Sequence, residues 1–255
     1  MNDELIQAEI GDAVLFKPIT NVDTWVFDPP YNIGYGGYET VTDKMSWEEY
    51  ESQMQVCAEI MADATPNGSL FMINYAEQTS RLLPVLESAG WKFHQWITWV
   101  YPSNIGVSKK KFTPGSRTVL WMVRGKPKLR VENIKLPFRD MKDKRNIARM
   151  EAGSKGRNAY DWWDINLRKN VSKGYRGWAN QLPFDLVKRC IESSTDPGDV
   201  VGDLMAGSGT LYEVARRLGR ISIKNDIAPS ALDHWKDLAE SESVPPAGGF
   251  STFFE

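Results

Sequence analysis

The chain has 255 residues, of which 42% are hydrophobic and 11% aromatic, and a formal net charge of −2. At that length the chain can bury a sizeable core and need not be split in two. No apolar run approaches the ~20 residues of a membrane-spanning helix, and the polar, acidic opening Met1 to Glu9 does not read as a signal peptide. Cys57 and Cys190 stand alone in helix-like segments, and His94 and His234 are few and scattered. Neither a disulfide framework nor a metal site is expected, and the cysteine usage fits a reducing cytoplasm.

In chain order, Val14 to Phe16 reads as a first short strand and Trp25 to Phe27 as a second. The second strand stops at Asp28-Pro29-Pro30-Tyr31. Proline lacks an N–H and fixes φ, so the ladder cannot continue and the chain leaves the sheet rigidly, presenting Asp28 and Tyr31. A carboxylate beside a carbonyl that precedes proline is an acceptor pair suited to an N–H₂ donor, and an aromatic ring adds a face on which a base can stack. The same residues also serve as ordinary loop punctuation. Gly34, Gly36 and Gly37, with Tyr35 and Tyr38, make a flap or a plain flexible loop. Ser46-Trp47-Glu48-Glu49-Tyr50 opens a helix with a serine cap and acids in its first turn.

Further strands are expected at Ser69 to Ile73, Trp96 to Tyr101 and Thr118 to Val123. Between Tyr101 and Trp178 the chain holds 20 Lys+Arg against 6 Asp+Glu, a local net charge of +14 on an otherwise acidic body. That is an electrostatic footprint for phosphates, with Lys109, Lys110, Lys111 and Arg117 as candidate DNA contacts. From Arg124 to Lys173 no apolar period is sustained, so a mostly irregular recognition region is expected. Trp96, Trp99 and the Trp162-Trp163 pair read as packing residues.

Asn180-Gln181-Leu182-Pro183 precedes a helix carrying Leu186, Val187, Cys190 and Ile191 on one face. A strand over Val200 to Asp203 then runs into Leu204-Met205-Ala206-Gly207-Ser208-Gly209-Thr210 and a helix from Leu211 to Leu218, which Gly219 closes. Glycines let the backbone approach a ligand, and the helix start offers free N–H groups. The next strand, Ile221 to Lys224, leads to Asp226, about twenty residues past the turn, where a nucleoside-binding α/β unit places its ribose-reading acid. The seven strands alternate with helices as in a mostly parallel, doubly wound α/β sheet. Asp28 and Asp203 both fall at strand carboxyl ends, where such sheets bind ligands.

Together these motifs resemble the S-adenosylmethionine-dependent DNA amino-methyltransferases of the permuted β group, in which Asp-Pro-Pro-Tyr precedes the glycine-rich motif. The resemblance runs from Ile10-Gly11-Asp12-Ala13 to Asp226, with Leu204 and Met205 standing where the family has Pro and Phe. It implies a seven-stranded methyltransferase sheet with an inserted basic target-recognition region: a catalytic half over 1–100, the basic region over 101–178, whose first part completes the sheet, and a cofactor-binding half over 179–255. It further implies methylation of the N6 of adenine in a specific double-stranded DNA sequence after base flipping, without a metal, by a bacterial or phage-encoded enzyme. Asp28, Pro29, Pro30 and Tyr31 become the catalytic group. Asp12, Ala13, Gln181, Asp203, Met205, Ala206, Gly207, Ser208, Gly209, Thr210 and Asp226 become the cofactor contacts. N4-cytosine methylation and a non-catalytic DNA-binding relative stay open as alternatives, as does a homodimer.

Overall fold

The computed structural model describes residues 5–40, 43–102, 109–168, 177–178 and 180–240, so parts of the expected recognition region (103–108 and 169–176) and the chain beyond 240 lie outside the described residues. Eight strands form one sheet: β1 (Leu5–Ile10), β2 (Thr24–Phe27), β3 (Gly68–Asn74), β4 (Lys92–Val100), β5 (Ser116–Arg124), β6 (Trp162–Asp164), β7 (Val200–Asp203) and β8 (Ile221–Asp226). Their order across the sheet is β1-β8-β7-β2-β3-β5-β4-β6. β5 alone runs antiparallel to its neighbours, because β4 turns straight back into it.

The strands flanking the centre are apolar throughout because both sheet faces are covered. Side chains alternate between faces. Trp25, Phe27, Leu70 and Met72 pack against helices α1 (Trp47–Asp63) and α2 (Ala76–Ser88), while Val26, Phe71 and Ile73 pack against α4 (Phe184–Ser194) and α5 (Thr210–Arg217). Cys57 and Cys190 are buried, one in each layer. The abundant tryptophans need partners for their N–H groups once buried. Trp25 donates to Thr65 Oγ1 (2.9 Å), Trp99 to the Ile165 carbonyl (2.7 Å), Trp91 to the Ala58 carbonyl (3.2 Å) and Trp121 to Ser69 Oγ (3.1 Å). α1 begins as its sequence dictates: Ser46 Oγ accepts from the Glu49 N–H while the Glu49 carboxylate accepts from the Ser46 N–H, a closed capping box.

Eight strands replace the expected seven. Val14 to Phe16 is no strand, because Asp12 Oδ1 accepts from the Val14 N–H and winds Ala13–Leu15 into a 3₁₀ turn. The first strand lies instead inside the polar opening. There the buried position is Gln7, whose amide donates to the Lys17 carbonyl and accepts from the Ile19 N–H, so the apolar alternation that marks a strand is missing. β6 is a three-residue edge strand on β4; Trp163 is buried, but Trp162 is 39% exposed and stacks on Tyr160 rather than packing inward. The stretch expected to be irregular also contains α3 (Lys144–Glu151), capped by Asp143 and with no buried residue. A helix that buries nothing leaves no apolar stripe to read.

β2 leads through α1 to β3 on one side, and β7 leads through α5 to β8 on the other, so the chain diverges between β2 and β7. Thr24 pairs with Val201 and Trp25 with Gly202. A Cβ on Gly202 would stand 2.4 Å from the Trp25 ring. Gly202→Ala is therefore expected to overpack this junction at a cost of about 1–3 kcal/mol, lowering the thermal midpoint by about 2–4 °C per kcal/mol; an unchanged midpoint in a melting experiment would show that Trp25 has room to yield.

Candidate active site

Four neighbouring strands end in an acid. Asp12 follows β1, Asp226 ends β8, Asp203 ends β7 and Asp28 follows β2, and all four line one cavity of about 370 Å³ at the carboxyl edge of the sheet. Among the other expected positions, Ala13, Pro30, Gln181, Met205, Ala206, Gly207, Ser208 and Thr210 line it too. Gly209 does not; it is the left-handed residue (φ 75°) that starts α5. Pro29 and Tyr31 sit behind the lining.

The glycine turn is held from several sides. Asp226 Oδ2 accepts from the Gly207 N–H (2.7 Å) and Oδ1 from the Ala228 N–H (2.8 Å). Asp203 Oδ1 accepts from the Met205 N–H (3.0 Å). The Asn225 amide donates to the carbonyls of Gly11 and Leu204, joining the ends of β1, β8 and β7. A Cβ at Gly207 would meet Trp178 at 2.8 Å, and one at Gly209 would meet Trp235 at 2.7 Å. The turn thus requires glycine at both positions for close approach as well as for positive φ. Trp178 also lines the cavity, supplying an aromatic wall that the motif, with Leu204 and Met205, lacks. Leu204 lines the cavity as well and is fully buried in the core.

Around Asp28 the arrangement is tight. The Tyr31 hydroxyl donates to Asp28 Oδ1 at 2.6 Å. The Pro30 carbonyl accepts from the Tyr50 hydroxyl (2.7 Å), and the Asn74 amide donates to that same hydroxyl (3.1 Å). Desolvation raises the Asp28 pKa to about 6, against the opposing effects of the Arg117 charge and the Tyr31 hydrogen bond. Burial, with Asp28 and Asp226 nearby, pushes Asp203 well above the usual carboxylate range.

Two expectations fail here. Tyr31 is not presented: it is 2% exposed, with Tyr75 set edge-on at 5.3 Å and Arg117 over its ring at 4.7 Å. Arg117 is not a surface phosphate contact. It is 7% exposed, because position 117 of β5 faces the layer containing Trp99 and Tyr101, whose rings lie 5.5 Å from its guanidinium. Lys109, Lys110 and Lys111 are exposed, on the loop that enters β5 at the same sheet edge as the cavity. Other cations of the basic stretch are used internally. Lys128 binds Asp199 (2.6 Å) and Arg130 forks onto Asp196 (3.0 and 2.9 Å), pinning the segment to the turn before β7.

Sequence reasoning missed Asp43. Asp43, 2% exposed, accepts from the N–H groups of Asn32 (2.6 Å), Ile33 (3.2 Å) and Tyr35 (3.0 Å), and its own carbonyl accepts from Gly34. The glycine-rich loop is therefore strapped down. It carries Tyr38, whose pKa is raised by burial and by Asp28, into the cavity wall. Beyond it, Glu39 accepts a hydrogen bond from Ser230 at the start of α6 (Ser230–Glu240). An acid eleven residues from Asn32 carries no local signal.

A family model described as DNA methylase, for N6 and N4 methyltransferases, matches residues 22–237. The Type II methyltransferase M.HpaI of Haemophilus parainfluenzae is 27% identical over 246 residues, covering 95% of this chain and 76% of its own length. M.BamHI of Bacillus amyloliquefaciens is 33% identical over 225 residues, 82% of this chain but only 52% of that protein. Among solved structures, the M1.HpyAVI–SAM complex superposes with a TM-score of 0.65 at 18% identity, covering 93% of this chain and 100% of that one. PvuII DNA methyltransferase, described as cytosine-N4-specific, gives 0.65 at 16% identity over 94% and 96%. At these identities the structures establish a shared fold.

Removing the strap tests the loop. Asp43→Ala leaves three N–H groups without their acceptor, at a cost of about 1–3 kcal/mol, and is expected to accelerate amide exchange at Asn32, Ile33 and Tyr35 selectively; uniform protection in a hydrogen-exchange experiment would show that the loop holds its shape without Asp43.

Proposed function

This chain belongs to the DNA methylase family, and on that premise we propose that it transfers a methyl group from S-adenosylmethionine to the exocyclic N6 of adenine in double-stranded DNA. The observation that carries the reading is the convergence of Asp28 and the Asp203–Thr210 turn on one cavity, from strands that pair directly. The cavity suits a nucleoside-sized ligand. Its ring of four acids, set in partly desolvated surroundings, favours a ligand that carries positive charge. When bound, S-adenosylmethionine supplies a methyl already activated on a sulfonium, so the protein's task is to place and desolvate the acceptor.

Gly207 and Gly209 allow the backbone to approach the cofactor closely, and Trp178 faces the same space. Asp226 is positioned for the ribose and Asp12 and Ala13 for the adenine of the cofactor, with Gln181 and Thr210 at its carboxylate end. The target base must leave the duplex to reach this depth, at the cost of unstacking. Its amine then meets Asp28 and the Pro29 carbonyl, which accept its two hydrogens and draw the nitrogen lone pair out of conjugation. Asp28, anionic, also stabilises the positive charge that develops on nitrogen as the cofactor leaves as a neutral thioether, and would take the proton that the methylated amine then releases. Tyr31 orients the carboxylate through its hydroxyl, and Tyr38, which lines the cavity near Asp28, offers the first aromatic face to an entering base. The region over 101–178, apart from the strands it lends to the sheet, faces DNA through Lys109 to Lys111 and the exposed α3. Adenine is preferred over cytosine on the Asp at the first motif position; N4-cytosine methylation is the second reading, since the family model spans both.

Unmethylated genomic DNA incubated with protein and S-adenosylmethionine should yield N6-methyladenine by nucleoside mass spectrometry, with modification-aware sequencing giving the site; N4-methylcytosine would move the reading to the second base. Asp28→Ala should abolish product with cofactor affinity nearly intact. In the wild type kcat/KM should fall as the pH drops through about 6, because Asp28 must be ionised and its pKa is raised to that value; a flat profile down to pH 5 would remove the carboxylate from the mechanism.

A further inference from the structure

Arg117 is a buried cation in a place that packing alone does not explain. Its guanidinium lies 4.7 Å from the Tyr31 ring centroid, 5.3 Å from Tyr75, and 5.5 Å from both Trp99 and Tyr101. Its Nε is buried with no hydrogen-bond partner. Burying a guanidinium is costly unless negative charge is near, and the carboxylate that acts on it is Asp28. The same Tyr31 that it covers donates to Asp28 Oδ1 at 2.6 Å. Cation, ring, hydroxyl and carboxylate thus form one continuous stack, built from β5 and the motif after β2.

We propose that Arg117 is a positioning residue of the methyl-transfer reaction: from beneath Tyr31 it supplies the counter-charge that holds the Asp28–Tyr31 pair assembled, with the carboxylate in its accepting form. This inference rests on the function proposed above. The groups facing Asp28 are Tyr31 and Tyr38 from the loop after β2, Tyr50 from α1, Asp203 from β7 and Arg117 from β5. The three tyrosines are shifted upward and stay neutral, and Asp203 is pushed well above the usual carboxylate range. Arg117 is the one of these groups that carries positive charge. Burial drives Asp28 toward its protonated form and Arg117 opposes it. Without that opposition the carboxyl takes up a proton at a higher pH. One oxygen then becomes a donor where the base amine needs an acceptor, and the charge that would balance the methylated nitrogen is gone.

The test compares pH profiles of kcat/KM for methylation of an oligonucleotide duplex carrying the modified site. Arg117→Met and Arg117→Gln should each move the acid limb upward by about one pH unit or more, a tenfold change in proton concentration. A limb moved from about 6 to about 7 should lower kcat/KM at pH 7 by about twofold, and one moved by two units by about tenfold, with the loss recovered at alkaline pH. Arg117→Lys keeps the charge and should leave the limb near its wild-type position while lowering kcat through lost stacking. Calorimetric affinity for S-adenosylmethionine should stay within about threefold in all three, which also confirms that each variant is folded. A limb unmoved in Met or Gln, or a limb displaced as far in Lys as in Gln, overturns the inference. Wild-type protein that methylates no DNA overturns the functional reading itself, so the two failures are distinguishable.

Discussion

The molecule is organised by the cost of holding four carboxylates at the ends of four adjacent parallel strands. β1, β8, β7 and β2 place Asp12, Asp226, Asp203 and Asp28 on one cavity, three of them deeply desolvated. Like charges at such spacing oppose one another, and the fold meets that cost in two ways. Backbone N–H groups satisfy Asp203 and Asp226, fixing the glycine turn between them. Asp28 instead receives a hydroxyl and a distant guanidinium. Asp203 and Asp226 are thereby immobilised by backbone, while Asp28 is held by side chains, with its pKa raised by burial to about 6. This division follows from topology: β7 runs directly into a turn whose N–H groups face Asp203 and Asp226, whereas β2 stops at two prolines that offer no N–H to a carboxylate.

The single reversed strand has a chemical consequence. Because β5 runs against its neighbours, its first residues, not its last, lie at the carboxyl edge where the cavity opens. Arg117, one position into the strand, is thus carried under Tyr31, and the loop bearing Lys109 to Lys111 enters the strand just before it. A basic segment that looks uniform along the chain is divided by the fold: Arg117 is buried, Lys128 and Arg130 form an anchor, and Lys109 to Lys111 are exposed. Charge counted along a sequence measures the total; burial decides which part of it reaches a phosphate.

Much of the site was legible because its signals are local. A strand broken by Pro29 and Pro30, and a turn that demands glycine at 207 and 209, are written in consecutive residues, and both led to the cavity. The capping box at Ser46 and Glu49 was legible for the same reason. β1 and α3 escaped because neither presents an apolar period: β1 buries a hydrogen-bonded Gln7, and α3 buries nothing. Asp43 and Trp178 escaped because they act across the chain on backbone that carries no record of them.

Arg117 shows the limit most clearly. As one cation among twenty in a basic region it reads as a phosphate contact, and its residue type is right for that role. What assigns it elsewhere is the parity of β5: Val119 and Trp121 share its face and belong to the layer of Trp99 and Tyr101, so position 117 must point inward. Once inside, a guanidinium that cannot lose its proton must be accommodated by rings and by the nearest acid. That acid is Asp28, at the cavity. The constraint therefore runs from strand alternation, through burial of an obligate charge, to the protonation state of Asp28, and each step depends on the one before it.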